Sequence, residues 1–148
     1  MSATGLPVFE LTLEKTNAWL DRLMSELGIA DRHLAYRALR ATLHALRDRI
    51  SVDEAAHLGA QLPLLVRGVY YEGWHPAGKP LRERSREEFL SHVQRDVPQH
   101  APEPLVRATF AVLSHYVTAG EISDILGMLP AGVRELWPSA PTASAGGG

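Results

Sequence analysis

At 148 residues the chain has the length of one ordinary domain, enough to build a hydrophobic core unaided. It has no cysteine, which excludes a disulfide framework, thiolate metal sites and a thiol nucleophile, and its formal charge of −2 exerts no overall pull toward nucleic acid or anionic lipid. No apolar run approaches the roughly 20 residues that cross a bilayer, and no basic start leads into an apolar stretch as in a secretory signal, so a cytoplasmic location away from membranes is the expectation.

Residues 1–8 are mostly small and polar and read as a loose lead-in. From about Phe9 to Leu27, the residues Leu13, Leu20, Leu23 and Leu27 fall at helical spacings, and Gly28 suits the left-handed turn that ends a helix. A second helix is predicted from Asp31, a good N-cap, to Ile50. Its stripe is Ala35, Leu39, Leu43, Leu46 and Ile50, leaving Arg37, Arg40, Arg47, Asp48 and Arg49 mostly off the apolar face.

Ser51 and Glu54 have capping-box spacing, in which each side chain satisfies a backbone N–H of the other residue. A third helix therefore begins near Val52 and carries Ala55, Leu58 and Leu62 on one face. Pro63 cannot continue it but suits the start of a short fourth helix, about Leu64 to Tyr71. Residues 72–84 contain Gly73, Pro76, Gly78 and Pro80 and read as an ordered connector, with Trp74 expected to pack back onto the fold.

Ser85 and Glu88 repeat the capping-box spacing and open a helix with Phe89, Leu90, Val93 and Val97. After the tight Pro98, Pro102 and Pro104 connection, a sixth helix carries Val106, Phe110, Leu113 and Val117. Thr118 and Glu121 then form the third capping-box pair, and Pro130 marks another corner. Residues 138–148, rich in Pro, Ser, Ala and Gly, are expected to form a disordered tail.

These similarities are one repeat. With an offset of 67 positions, Leu39 to Tyr70 lie on Val106 to Trp137 without a gap: Arg40-Ala41-Thr42 on Arg107-Ala108-Thr109, Glu54 on Glu121, Leu62-Pro63 on Leu129-Pro130, and Arg67 on Arg134. The expected fold is all-α: a tandem duplication of a four-helix unit, about eight helices related by a pseudo-twofold and forming one compact helical domain. The first repeat spans 9–71 and the second 85–137. Leu43, Leu46, Leu62, Val66, Phe110, Leu113, Leu129 and Val133 are the predicted core.

The helix with Trp19 or Phe89, the arginine-led second helix, the glutamate-bearing third, the Leu-Pro corner and the connector together resemble the bacterial domain-of-unknown-function family 2267. The resemblance covers about residues 9–137 and is most specific in "AAHLGAQLPLLVRGVYYEGWHP" and "SREEFLSHV". It implies an all-helical duplicated domain and transfers no catalytic residue.

Glu54 and His57 form E-x-x-H, which places a carboxylate and an imidazole on one helical face, as in di-iron bundles. Such sites use two of these motifs plus two further glutamates. The second copy offers Glu121 and Asp124, so the pattern is half filled, and a capping glutamate beside a surface histidine is the competing reading. His44 and Asp48, one turn apart, read as a solvated pair. No G-x-S-x-G elbow or glycine-rich phosphate loop accompanies the serines and histidines, and no cofactor is expected. The stretch "SVDEAAHLGAQLP" could open a helix-turn-helix, but Pro63 is followed by the core-seeking "LLVRGVYY", so nucleic acid is not the favoured partner. The duplicated arginines Arg40, Arg67, Arg107 and Arg134 either brace their own halves, through Glu54 or Glu121, or line a shared surface for an anionic ligand or partner. The leading expectation is a non-catalytic interaction or scaffold module that binds a protein partner or another copy of itself. A metal-dependent enzyme or metal-binding protein, and a DNA-binding regulator, are the alternatives.

Overall fold

In the computed structural model, which describes residues 4–139, the chain forms eight helices, with no strand among the described residues. They are α1 (Pro7–Leu27), α2 (Arg32–Arg47), α3 (Val52–Ala60), α4 (Leu64–Tyr71), α5 (Arg86–Asp96), α6 (Pro102–Tyr116), α7 (Ala119–Met128) and α8 (Ala131–Arg134). Of the tail expected at 138–148, residues 140–148 lie outside the described part.

Local chemistry sets the ends. Gly28 adopts φ 68°, ψ 34°, the left-handed conformation that closes α1, and its N–H turns back to helix carbonyls. Asp31 caps α2 by accepting from the Leu34 N–H at 3.0 Å. Pro63 and Pro130 occupy the N-cap positions of α4 and α8, each at a corner. Neither can cap with its side chain, and at α4 Thr12 of α1 supplies the missing acceptor, taking the Leu65 N–H at 2.9 Å.

The core lies where α2 and α6 meet each other and are flanked by α1 and α5. All eight predicted core residues are buried, and Phe110 stacks on Trp137 with ring centroids 4.0 Å apart. Trp74 packs against this core and faces Tyr71, as expected for an ordered connector.

Two expectations about α2 are corrected. The helix ends at Arg47 rather than Ile50, and Arg47, Asp48 and Arg49 are buried instead of lying off the packed face. Burial is tolerated because the guanidinium groups find partners: Arg47 donates to the Tyr70 and Glu72 carbonyls and pairs with Asp48, while Arg49 bonds Glu83 and the Ala45 carbonyl. Leu13, counted in the stripe of α1, is exposed. The first turns of α1 project beyond the core, and only Thr12, Trp19 and Leu23 of this helix are buried.

Candidate functional site

The side chains of greatest chemical interest converge where α3 packs on α7. Each helix is started by a hydroxyl cap: Ser51 Oγ accepts from the Glu54 N–H at 3.1 Å, and Thr118 Oγ1 accepts from the Glu121 N–H at 3.3 Å. A complete capping box would send each glutamate back to the N–H of its cap residue. Of the three predicted boxes only Ser85/Glu88 closes in both directions. At Thr118 the returning role is taken by Gln61, the C-cap of α3, whose Oε1 accepts the Thr118 N–H at 2.9 Å and whose Nε2 donates to Thr118 Oγ1 at 3.1 Å.

Glu54 and Glu121 instead extend into the seam. Both are buried, and no N–H or hydroxyl donor reaches the Oε2 atom of either; the two carboxyl groups have only each other. One carboxylate oxygen from each and one ring nitrogen of His57 lie within 4.8 Å of one another. His57 is exposed, with Nδ1 3.7 Å from Glu54 Oε2. Burial, then a hydrogen bond to the neighbouring Glu54 carboxyl and that group's charge, then the charge of Asp124, push the Glu121 carboxyl up to about 8. Below the seam, Tyr70 is fully buried and donates its hydroxyl to the Ala55 carbonyl at 2.7 Å. Its own ionisation is strongly disfavoured, first by desolvation.

Arg40, Arg67, Arg107 and Arg134 are not gathered around one cleft. Arg67 donates to the Gly59 and Leu62 carbonyls at 2.8 and 2.9 Å, and Arg134 donates to those of Leu126 and Leu129 at 3.4 and 2.9 Å. Each thus satisfies carbonyls left open where a helix meets a Leu-Pro corner. Arg40 pairs with Glu72 on the surface, and Arg107 pairs with Glu103 one turn away and reaches the Glu135 carbonyl.

A second feature lies beside Arg67. Between α1, the α3–α4 corner and the end of α6 runs a cleft of about 500 Å³ lined by Val8, Leu11, Lys15, Trp19, Leu64 and Tyr116, among others. Val8, Leu11 and Leu64 are exposed, as are the neighbouring Leu6, Phe9, Leu13 and Leu65. No motif in the sequence marks this surface. Its signal is the opening Pro-Val-Phe-Glu-Leu-Thr-Leu of α1, where apolar residues occupy more of the helix circumference than one buried stripe can cover.

The family model described as "Uncharacterized conserved protein (DUF2267)" matches residues 16–136. No match is found among curated proteins.

Proposed function

We propose that this chain, which belongs to the DUF2267 family, is a non-catalytic interaction module of the bacterial cytoplasm, and that its partner surface is the cleft between α1 and α4. The carrying observation is that exposed Val8 and Leu11 of α1 and Leu64 of α4 line one cleft, while most other large apolar residues among those described are buried.

The occupant that suits this cleft is an amphipathic helix from a protein partner, with apolar anchors and at least one acidic residue. The apolar walls would receive the anchors. Lys15 supplies the charge preference, since it pairs with no carboxylate among the described residues. A DNA-binding role draws less support, because α4 would have to be the recognition helix. It carries Leu64, Leu65, Val66, Val69 and Tyr70, and its one arginine is engaged with carbonyls.

The test places a photo-crosslinking residue at position 64, and separately at exposed Asp21 as a control, in the native cell. A discrete adduct from position 64, absent from position 21 and lost on Leu11→Asp or Lys15→Glu, supports the reading. Sedimentation of the purified chain tells whether the adduct is a second copy. Equal labelling from both positions, or adducts indifferent to Leu11→Asp and Lys15→Glu, would overturn it.

A further inference from the structure

Two glutamates that could close the caps of their own helices point away from them and meet in a seam, and this orientation needs a physical cause. Glu88 shows what such a residue does when nothing competes: it returns to the Ser85 N–H. Glu54 and Glu121 are only 6% and 7% exposed, so bulk water barely solvates them, and each has an oxygen that no N–H or hydroxyl donor reaches. An unsatisfied buried carboxyl is costly, and two facing each other add repulsion.

We propose that Glu54, Glu121 and His57 form a binding site for one divalent transition-metal ion at the contact between α3 and α7. Two observations support this: the convergence of three ligand atoms of the right chemistry within 4.8 Å, and, on each of the two nine-tenths-buried glutamates that supply them, an oxygen that no N–H or hydroxyl donor reaches. Ligands held about 2.1 Å from a common ion stand roughly 3 to 4 Å apart, so modest side-chain rotation would close the set. The 3.7 Å between His57 Nδ1 and Glu54 Oε2 already falls in this range.

The donor set narrows the ion. Two carboxylates and an imidazole suit zinc, manganese or iron, whereas magnesium and calcium prefer oxygen ligands alone. Glu54 and His57 come from one helix turn, and Glu121 crosses from the facing helix, so the ion would also tie α3 to α7. The imidazole lies at the solvent side, with its side chain 67% exposed, which gives an ion an entry path and leaves room for water to complete its coordination. Asp124, also exposed, adds negative charge beside Glu121. The site does not involve the α1–α4 cleft, and either can fail without the other.

The experiment uses the full chain with any affinity tag removed, stripped with chelator and titrated separately with Zn²⁺ and Mn²⁺ by calorimetry. Saturation at one ion per chain is expected for at least one of them. Glu54→Gln, Glu121→Gln and His57→Ala should each weaken binding about tenfold or more, while His75→Ala leaves it unchanged. Co²⁺ should give a visible absorption band that disappears in His57→Ala. Circular dichroism establishes that each variant is folded. If a glutamine variant does not fold, Glu54→Asp keeps the charge, and its shorter reach should still weaken binding. Absence of binding by the wild type, or binding unchanged in the folded glutamate and histidine variants, would overturn the proposal.

Discussion

Glu54 and Glu121 each stand three residues after a hydroxyl N-cap, and their carboxyl groups meet across the contact between α3 and α7, each with an oxygen that no N–H or hydroxyl donor reaches. Neither closes the capping box that its spacing announces. In an isolated helix, the cap N–H is a nearby partner. Packing brings Gln61 to the Thr118 N–H, and the Glu121 side chain lies in the seam.

In the metal-free protein this arrangement should be a source of strain at alkaline pH. The folded-state value of Glu121 is raised from 4.5 to about 8, so the folded state holds a proton that the unfolded chain releases, and stability falls as pH rises through that window. Glu121→Gln removes the charge at nearly constant shape. In chelator at about pH 9 it should melt above wild type, with a smaller gain at about pH 5. A variant that melts lower than wild type at both pH values would show that the carboxyl stabilises the seam.

Phe110 is fully buried between Phe89 and Trp137. Truncation to alanine leaves a cavity that neighbouring helices only partly fill, and a loss of about 3 to 5 kcal/mol is expected. Urea denaturation measures it, and near wild-type stability would mean that the stack bears little load.

His44 lies largely buried, 2.7 Å from the Val69 carbonyl, to which its Nε2–H donates. Burial first, and nearby Arg47 and Arg40 further, hold its folded pKa below 6.5. The unfolded chain therefore takes up the proton first on acidification. The contribution of His44 is intact above about pH 6.5 and is lost as pH falls toward the depressed folded value. His44→Gln should lower stability at pH 7.5 yet lose less than wild type between pH 7.5 and 5.5. Identical losses in both proteins would rule out His44 as the sensitive group.

Two helical glycines should respond in opposite directions to alanine. At Gly59 an added Cβ would run into the ring of Tyr71, itself held against Tyr70 and Trp74, so Gly59→Ala should destabilise by about 1 to 3 kcal/mol. Gly68 has nothing within 4 Å of the corresponding position, and Gly68→Ala should stabilise α4 by about 0.5 to 1 kcal/mol. Thermal melts of the pair check both, and a stabilised Gly59→Ala would show that Tyr71 moves aside freely.

What the sequence determined by itself is whatever is decided within a few residues along the chain. The left-handed turn at Gly28, the cap at Asp31 and the proline corners depend on neighbours three or four positions away, and all appear where expected. The candidate metal ligands were partly legible for the same reason: Glu54 and His57 share a helix turn. For Glu121 the sequence left a cap and a place in a half-filled metal pattern both open, because Thr-x-x-Glu spacing is compatible with the side chain turning back or crossing to another helix, and only the packing of α3 on α7 selects between them. Tertiary structure also decided the burial of Arg47 and Arg49, which look solvated in a periodic pattern. The carbonyls of Tyr70, Glu72 and Ala45 that satisfy them become available only when the chain folds back on α2 or ends its helix. The exposed start of α1 follows the same rule, since an apolar residue lies inside only where another element reaches far enough to cover it, and among the described residues none covers Val8, Leu11 and Leu13.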